Sequence, residues 1–343
     1  MMKKKVLVTG GTGFIGSHTS VELINAGFDV VIIDNLYNSE KTVLDGIEKI
    51  TGVRPAFAEF DLCDTKRLED FFANEHKVDA IIHFAAYKAV GESVKKPLDY
   101  YRNNLLSLVN LLGMMEKFNI PSFVFSSSCT VYGQPDKLPV TEDAPVKPAI
   151  SPYGNTKQIG EEIIRETMAV KPSLKAISLR YFNPIGAHPS ALIGELPRGV
   201  PENLVPFITQ TAIGLRNELK VFGDDYNTPD GSCIRDYLHV VDLAKAHVVA
   251  LQRLVNSKNK ANYEVFNLGT GKGVSVLEAI KSFERVSGVK LKYTVTARRE
   301  GDIEQIWADP SYANKELGWK TESSLDEAMA TAWKWEKRIR NKE

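Results

Sequence analysis

A glycine-rich turn between two apolar segments near the start of the chain most constrains what this sequence can fold into. Residues 6–8 have the composition of a short buried strand, and the turn that follows is Gly10-Gly11-Thr12-Gly13-Phe14-Ile15-Gly16. Residues 14–26 then carry the apolar spacing of a helix, and a second apolar strand, residues 30–33, ends in Asp34. This order of strand, turn, helix, strand and acid is typical of a dinucleotide-binding βαβ unit.

Each glycine of this unit, and the acid that ends its second strand, has a physical role. Gly10 permits a turn that a Cβ would obstruct, Gly13 lets a pyrophosphate approach the backbone, and Gly16 lets the helix pack closely on the sheet. The start of the helix offers unpaired N–H groups and a positive dipole end to phosphates. Asp34 can accept hydrogen bonds from an adenosine ribose, and its charge would repel a 2′-phosphate, so the sequence favours NAD over NADP.

Composition narrows the class of protein. The 343 residues have 43% hydrophobic content, and Lys+Arg and Asp+Glu both number 43, so the charge balance shows no sign of a nucleic-acid or membrane-surface partner. We find no signal-peptide core and no apolar run of membrane-spanning length. The three cysteines have neither metal-binding spacing nor an even disulfide count, which predicts reduced thiols in the cytoplasm and no metal site.

Strands alternate with helices through the first half of the chain, which predicts a doubly wound, Rossmann-type parallel sheet. The predicted strands are residues 6–8, 30–33, 56–60, 80–84, 123–128 and 175–179. From Pro184 to Pro206 proline and glycine are dense, which indicates a loop-rich second region. We therefore predict an NAD-binding domain over residues 1–183, which part of 230–270 rejoins through a strand at 264–268. Residues 184–343 would form most of a smaller, mixed α/β substrate domain.

Several polar residues at strand ends and in helices have more than one possible role. Asp61 follows a strand and could lie beside the adenine or cap the helix that begins near Thr65. His83 lies in an apolar run and is expected to be a core histidine. Asn103 and Asn104 lie in a predicted helix over 97–118, where one of them is expected to bond a buried group.

Three side chains carry the candidate chemistry: Ser128, Tyr153 and Lys157. Tyr153 and Lys157 are four residues apart and so share one helix face. A free tyrosine is a poor base at neutral pH, but a neighbouring lysine and a positive nicotinamide ring favour the phenolate. A serine hydroxyl can bridge the tyrosine and a substrate oxygen, so the trio could take a proton from an alcohol while hydride passes to NAD.

Longer blocks carry a resemblance over nearly the whole chain. They are Asp34-Asn35, Lys88-Ala89-Val90-Gly91-Glu92-Ser93, Ser126-Ser127-Ser128-Cys129-Thr130-Val131-Tyr132-Gly133, Tyr153-Gly154-Asn155-Thr156-Lys157, Arg180-Tyr181-Phe182-Asn183-Pro184-Ile185-Gly186-Ala187-His188-Pro189, Arg235-Asp236-Tyr237 and Arg298-Arg299-Glu300-Gly301-Asp302. With the glycine-rich turn, they resemble the extended short-chain dehydrogenase/reductase superfamily and, within it, the UDP-glucose 4-epimerase family.

The resemblance implies an activity and a mechanism. An enzyme of this family, an isomerase of galactose and carbohydrate metabolism, interconverts UDP-glucose and UDP-galactose through a 4-keto sugar. Tyr153 would remove the proton of the 4′-hydroxyl, hydride would pass to a tightly bound NAD, and the turned keto sugar would receive it on the opposite face. The family is typically a homodimer that pairs long helices, here residues 97–118 and 151–168, although periodicity does not separate such a face from core.

The resemblance also implies contacts. Lys88 would contact cofactor phosphate or ribose, and Lys157 the nicotinamide ribose. The remaining cofactor contacts would be Phe14, Ile15, Asn35, Asn38, Ser39, Asp61, Leu62, Phe84, Ala85, Ala86, Asn103, Ser126, Tyr153 and Tyr181. The UDP-sugar would contact Ser128, Thr130, Tyr153, Phe182, Asn183, Asn203, Leu204, Phe222, Arg235, Arg299, Asp302 and Ile306. Two arginines suit a diphosphate, but each has a nearby acid, so surface ion pairs are the alternative.

Some positions depart from the family pattern. Cys129 stands where the family usually has alanine, and packing is the simpler role for it than oxidation. Ala86 replaces a common glycine, which we expect to be tolerated. Ile306 is intermediate in size at a position whose bulk is thought to gate N-acetylated sugars, so activity on UDP-N-acetylglucosamine and UDP-N-acetylgalactosamine is open.

Three other functions compete with epimerisation. A nucleotide-sugar 4,6-dehydratase needs an acid and a base beside Ser128, where this chain has Cys129 and Thr130. A sugar-nucleotide decarboxylase usually has an acid at the Thr130 position. A non-catalytic redox sensor that binds NAD(P) tends to lose the tyrosine–lysine pair, which is present here.

Overall fold

The computed structural model describes residues 3–74, 77–299 and 302–341. Glu300 and Gly301, which belong to one of the blocks above, lie outside the described residues. The strands within the described residues are β1 (Lys5–Thr9), β2 (Asp29–Asp34), β3 (Ala56–Glu59), β4 (Ala80–His83), β5 (Ser122–Ser126), β6 (Lys175–Tyr181), β7 (Asn183–Ile185), β8 (Leu219–Phe222), β9 (Ile234–Arg235), β10 (Tyr237–His239), β11 (Tyr263–Leu268), β12 (Val274–Ser275), β13 (Tyr293–Thr296) and β14 (Gln305–Ile306).

The helices of the same residues alternate with the early strands and dominate the later part of the chain. They are α1 (Phe14–Asn25), α2 (Val43–Thr51), α3 (Thr65–Asn74), α4 (Val90–Lys95), α5 (Pro97–Lys117), α6 (Pro152–Val170), α7 (Leu204–Ala212), α8 (Val240–Val255), α9 (Val276–Ser287), α10 (Ser311–Leu317) and α11 (Leu325–Ile339). A short 3₁₀ turn, Cys129–Tyr132, follows β5. No helix among the described residues has both the length and the apolar character needed to cross a membrane.

The main sheet has seven strands in the order β11-β6-β5-β4-β1-β2-β3, and every pairing in it is parallel. This confirms the predicted doubly wound parallel sheet. The strand predicted at residues 264–268 forms β11 and pairs with β6, so a late segment of the chain completes the sheet. The division of the chain at residues 183 and 184 itself stays a prediction.

The core lies in two layers, one on each face of this sheet. Val6 and Val8 of β1 point into a layer that also holds residues of α1 and α8, whereas Leu7 points into the layer filled by α5 and α6. Successive side chains of a strand face opposite sides, so a strand covered on both sides carries a continuous apolar run, as residues 6–8 of β1 and 80–82 of β4 do. This explains why the early strands could be recognised as continuous apolar runs.

The second region has its own core and three small sheets. Side chains of α7, α9 and α11 pack there against β8. The small sheets pair β7 with β10, β9 with both β12 and β14, and β8 with β13. Both α9 and α11 begin with a capping box, formed by Ser275 with Glu278 and by Ser324 with Glu327, which fixes their first turns.

Candidate active site

The glycine-rich turn forms a cradle that a side chain would fill. Gly10 has a φ of +69°, and a Cβ there would lie 2.7 Å from the backbone nitrogen of Ala85 at the end of β4. A Cβ at Gly16 would lie 2.2 Å from the carbonyl oxygen of Gly10. Gly13 is the N-cap of α1, and no side chain among the described residues caps the helix. The N–H groups at Phe14 and Ile15 therefore face an open approach, which fits the pyrophosphate of a dinucleotide.

Asp34 lies at the end of β2 beside this turn. Its carboxylate accepts hydrogen bonds from Leu36 N at 2.9 Å, Ser39 Oγ at 3.2 Å and Thr12 N at 3.2 Å. The Ser39 and Thr12 hydroxyls are themselves 2.7 Å apart. An ionised carboxylate has about four lone-pair sites, so acceptor capacity remains for ribose hydroxyls. Asn38, in the same loop, is exposed.

Asp61 does not cap the following helix, so that alternative is wrong. Its carboxylate accepts from Cys63 N at 2.8 Å and from Asn35 Nδ2 at 3.1 Å, whereas Asp64 accepts from Arg67 N in the first turn of α3. The next residue, Leu62, is buried in the core layer that α5 and α6 cover. Asp61 thus joins the loops after β2 and β3 at the edge where an adenosine would lie.

A cavity of about 390 Å³ opens beside Asp61. Asn103 lines it, together with Tyr37, Cys63, Tyr87 and Tyr100. The buried partner-forming asparagine is Asn104, which donates to Tyr87 O and Thr156 Oγ1 and accepts from Tyr87 N. The two adjacent asparagines therefore divide their roles, because Asn104 anchors the backbone after β4 and Asn103 faces the cavity.

His83 is a core residue, as expected. Its Nδ1 is 2.7 Å from the Thr9 hydroxyl, and burial lowers the pKa of the ring to about 3. The next residue, Phe84, is 4.7 Å from the ring of His247 between centroids, and Ala85 and Ala86 continue the chain beside Gly10. Because their side chains are small, these alanines leave space beside the glycine-rich turn.

Ser128, Tyr153 and Lys157 are brought together by β5 and α6. Ser128 follows β5 and caps the 3₁₀ turn by accepting from Thr130 N at 3.2 Å. Ser151 caps α6, so Tyr153 lies in its first turn and Lys157 one turn later. The Lys157 ammonium donates to Ser126 O at 2.7 Å and lies 5.9 Å from the centroid of the Tyr153 ring.

Burial sets the electrostatics of this trio. It raises the pKa of the Tyr153 phenol well above its usual value, with Tyr181 adding to the shift and a hydrogen bond with Ser128 opposing it. Burial lowers the pKa of Lys157 to about 8, and the Glu161 carboxylate opposes that change. The ammonium of Lys157 stays charged at neutral pH, but the phenol needs further positive charge nearby to ionise.

A second buried hydrogen-bond network involves residues that neighbour the trio in the chain. Glu161 accepts from Ser127 Oγ at 2.5 Å and pairs with Arg180, whose Nη2 is 2.5 Å from Oε2. Arg180 also donates to the Tyr132 hydroxyl at 2.9 Å. Ser126 and Tyr181, both predicted cofactor contacts, share a hydrogen bond of 2.5 Å between hydroxyls, and burial raises the pKa of Tyr181 to about 12.

The predicted diphosphate residues come together on the second region. Asp302 accepts from Arg299 Nη2 at 2.6 Å and lies 4.0 Å from Arg235 Nη2. Arg299 lies over the ring of Phe222 at 5.5 Å. The alternative interpretation, a surface ion pair, therefore applies to Arg299, because it pairs with Asp302. Arg235, however, does not pair with its sequence neighbour, since the Asp236 carboxylate accepts from Thr270 and Ala308 instead.

One carboxylate, that of Glu195, contacts two residues that were predicted to bind different ligands. Glu195 accepts from Asn203 Nδ2 at 2.6 Å and pairs with Lys88 Nζ at 3.3 Å. Leu204 begins α7 directly after Asn203 and packs on the second core. No motif signalled Glu195, because it lies in the proline- and glycine-rich stretch and finds both partners only through the fold.

The remaining predicted sugar contacts lie close to Ser128 in the chain or in a small cluster. Ile306 is 2% exposed and packs with Phe182 and Tyr132. The backbone N–H of Asn183 donates to Asp236 O. The Thr130 hydroxyl is buried and has no hydrogen-bond partner among the described residues. A buried orphan hydroxyl two residues after Ser128 fits a polar ligand at this position.

Cys63 and Cys129 are not poised for reaction. Burial raises the pKa of the Cys129 thiol to about 12 and that of Cys63 to about 12, so neither is a thiolate at neutral pH. This favours the packing role for Cys129. No group of three or more histidine, cysteine, aspartate and glutamate side chains in the described part of the chain is placed to hold a metal ion.

Comparisons with known proteins agree with this geometry. The profile of the family described as GDP-mannose 4,6 dehydratase matches residues 7–332. A UDP-glucose 4-epimerase of Haemophilus influenzae is 49% identical over 332 residues, which are 97% of each chain. The structure of a UDP-glucose 4-epimerase from Bifidobacterium longum in complex with NAD⁺ and UDP has a TM-score of 0.94 at 47% identity and covers 99% of this chain and 100% of its own. A UDP-glucose-4-epimerase from Stenotrophomonas maltophila with bound NAD and formylated UDP-arabinopyranose has a TM-score of 0.95 at 47% identity, covering 98% and 99%.

Proposed function

The chain belongs to the UDP-glucose 4-epimerase family, and on that premise we propose that it interconverts UDP-glucose and UDP-galactose by inverting C4 of the sugar, with NAD as its cofactor. The observation that carries the proposal is the convergence of Ser128, Tyr153 and Lys157 near the cradle formed by Gly10 and Gly16. The same constellation suits reversible oxidation of a secondary alcohol.

Tyr153 is the proposed base. Its phenolate would take the proton from the 4′-hydroxyl, which then lies on Tyr153 Oη, and the phenol would return it when the inverted alcohol forms. Ser128 would hold the sugar oxygen, and the Lys157 ammonium would stabilise the phenolate. NAD supplies the group that accepts hydride from C4′ and gives it back, and its positive nicotinamide ring lowers the pKa of a neighbouring phenol.

Gly10, Gly13 and Gly16 would cradle the pyrophosphate of NAD, and Asp34 would receive the adenosine ribose. Arg235 and Arg299 would bind the diphosphate of the UDP-sugar, with Phe222 against the uridine. Asp302 is proposed to orient both arginines, because its carboxylate lies between them.

The dehydratase alternative takes its support from the family description that matches residues 7–332. Elimination of water needs an acid and a base beside the keto sugar. The residues next to Ser128 are a thiol whose pKa burial raises to about 12 and the hydroxyl of Thr130, and neither performs that work at neutral pH. The site therefore supports epimerisation.

We also propose a homodimer. On α5, Leu98, Leu106 and Val109 are 73%, 38% and 48% exposed, and they form an apolar stripe beside α6. Light scattering after gel filtration should give twice the mass of one chain, and Leu106→Arg combined with Val109→Arg should give the monomer. Val53→Arg, at another exposed apolar position, is the matched control. A wild-type monomer would refute the dimer.

The half-buried thiols, Cys63 and Cys129, support a reducing, cytoplasmic location. Ile306 is buried in one cluster with Tyr132 and Phe182, where its side chain is of intermediate bulk, and we propose that N-acetylated UDP-sugars are turned over more slowly than UDP-galactose. Comparison of kcat/KM for UDP-galactose and UDP-N-acetylgalactosamine tests this. Equal values would show that Ile306 does not gate the site.

The deciding experiment incubates purified protein with UDP-galactose and no added NAD, and separates the products by chromatography. We expect UDP-glucose, and we expect Tyr153→Phe to lower kcat by about 10²–10⁴-fold, the usual contribution of a general base. A 4-keto-6-deoxy sugar would identify a dehydratase. Absence of turnover even with added NAD would favour a different sugar nucleotide or a non-catalytic NAD(P) sensor.

A further inference from the structure

One arginine outside the predicted site joins its two halves. Arg198 lies in the segment of residues 194–203, here called the linking segment, and its exposed side chain reaches the loop of residues 35–40, here called the cofactor loop. Arg198 Nη1 donates to Tyr37 O at 2.8 Å, and Nη2 donates to Ser39 O at 2.7 Å. A planar guanidinium can hold two carbonyls at once, which an ammonium cannot do with the same geometry.

The cofactor loop carries the groups that would touch the adenosine half of NAD. Ser39, whose carbonyl Arg198 holds, also bonds through its hydroxyl to both Asp34 and Thr12. Asp34 in turn accepts from the N–H of Leu36 in the same loop. Any movement of Ser39 therefore disturbs the carboxylate proposed for the ribose and the glycine-rich turn proposed for the pyrophosphate.

The linking segment carries groups on the sugar-nucleotide side. Its Glu195 accepts from Asn203, a predicted UDP contact, and pairs with Lys88, a predicted cofactor contact. The segment is tethered on both sides of Arg198, because Trp335 Nε1 donates to Glu195 O at 2.8 Å and Arg216 Nη2 donates to Gly199 O at 3.2 Å. Arg198 lies between these two tethers and points away to the cofactor loop.

We propose that Arg198 is a positioning residue that couples the UDP-sugar site to the cofactor loop, so that a bound uridine diphosphate slows the release of NAD. A ligand that engages Asn203 orders the linking segment, and the ordered segment holds Tyr37 and Ser39 through Arg198. Because coupling between two binding equilibria is reciprocal, bound NAD raises the affinity for UDP by the factor by which bound UDP raises the affinity for NAD. The inference rests on the proposed function, since it takes NAD and a UDP-sugar as the ligands.

The test measures NAD release from the purified holoenzyme after rapid dilution, with and without saturating UDP. In wild type we expect UDP to slow release roughly tenfold, within the usual range for coupling between sites. In Arg198→Met we expect faster release that UDP no longer slows. Arg285→Met is the matched control, because it removes an exposed arginine that bonds Asp326, outside the linking segment and the cofactor loop, and it should behave as wild type.

Arg198→Lys separates charge from geometry. It keeps the positive charge near the cofactor but can hold only one of the two carbonyls, so we expect partial loss of the UDP effect. Release from Arg198→Met at the wild-type rate, or equal slowing by UDP in both proteins, would overturn the proposal. A positioning role also predicts a raised KM for UDP-galactose with kcat unchanged at saturating NAD.

Turnover by wild type in the same preparation tests the proposed function separately. Its absence would refute epimerisation, whereas the ratio of release rates with and without UDP decides the role of Arg198. A ratio near one in wild type itself would also overturn the coupling, whatever the catalytic result.

Discussion

Glu161 offers the sharpest test of how buried charge supports the active site. Its side chain is 9% exposed and that of Arg180 is 8% exposed, so the pair is almost fully withdrawn from water. The carboxylate accepts from Arg180 Nε at 2.9 Å, from Nη2 at 2.5 Å and from Ser127 Oγ at 2.5 Å. Glu161→Gln keeps the shape of the side chain but removes its charge, and leaves the buried Arg180 guanidinium without its ion-pair partner.

We expect this substitution to lower the free energy of unfolding by about 3 kcal/mol. Breaking a buried ion pair by removing one partner costs roughly 3–5 kcal/mol, and the amide oxygen of glutamine still accepts one bond, which places the expectation at the lower end. Urea unfolding, with Glu162→Gln as the control, measures the difference. Glu162 is the exposed neighbour on the same helix, so its change should lie within about 0.5 kcal/mol.

The same substitution should also change the pH dependence of turnover. Burial lowers the pKa of Lys157 to about 8, and the Glu161 charge opposes that shift. Without this charge the pKa falls further, so the ammonium that supports the Tyr153 phenolate is lost at lower pH. The alkaline limb of kcat/KM should therefore move to lower pH in Glu161→Gln and stay in place in Glu162→Gln.

Two results would refute this reasoning. One is an unfolding free energy for Glu161→Gln equal to that of Glu162→Gln, which would mean that the Arg180 charge finds another partner. The other is an alkaline limb that moves upward. The double variant Glu161→Met with Arg180→Met should recover part of the lost stability, because it removes the unpaired charge as well.

Three further outcomes follow from the geometry. Gly16→Ala places a Cβ 2.2 Å from Gly10 O, so it should lose bound NAD on gel filtration, whereas Gly91→Ala, whose Cβ meets only a side-chain oxygen at 3.7 Å, should retain it. Asn104→Ala leaves both backbone groups of Tyr87 without their partner and should cost about 1–3 kcal/mol in urea unfolding, against little for Asn38→Ala. In wild type, kcat/KM should fall above a pH of about 8 as Lys157 loses its proton, and a profile that stays flat to pH 10 would show that its charge is not needed.

The sequence predicts the main sheet well because its signals are local. An apolar strand buried on both faces, a glycine-rich turn and a tyrosine–lysine spacing each depend on residues close in the chain. The two-residue strands β9 and β14 of the second region were not predicted, since strands this short exist only by pairing with distant partners. That pairing is what aligns Ile306 with Arg235 and brings Asp302 near.

Local reasoning was weakest where two neighbouring residues could fill one role. It left open whether Asn103 or Asn104 is buried, and the fold decides because Asn104 donates a hydrogen bond to the Thr156 hydroxyl on α6. It offered Asp61 as a helix cap, but the helix uses Asp64, which lies next to its first residue. Glu195 and Arg198 carried no sequence signal. Lys88, which pairs with Glu195, and Tyr37 and Ser39, which Arg198 contacts, all lie more than 100 residues away in the chain.

The need to hold NAD follows from the reaction itself. Epimerisation returns the cofactor to its starting state in every cycle, so slow release costs no turnover, whereas a dehydrogenase must exchange its cofactor each time. The burial that fixes Tyr153 also raises the pKa of its phenol, so the site depends on positive charge held close to that ring. A glycine cradle too tight for any Cβ and an arginine that fastens the cofactor loop both favour retention. Retention and acid–base chemistry are thus linked in this site, because the same bound cofactor accepts the hydride and tunes the base.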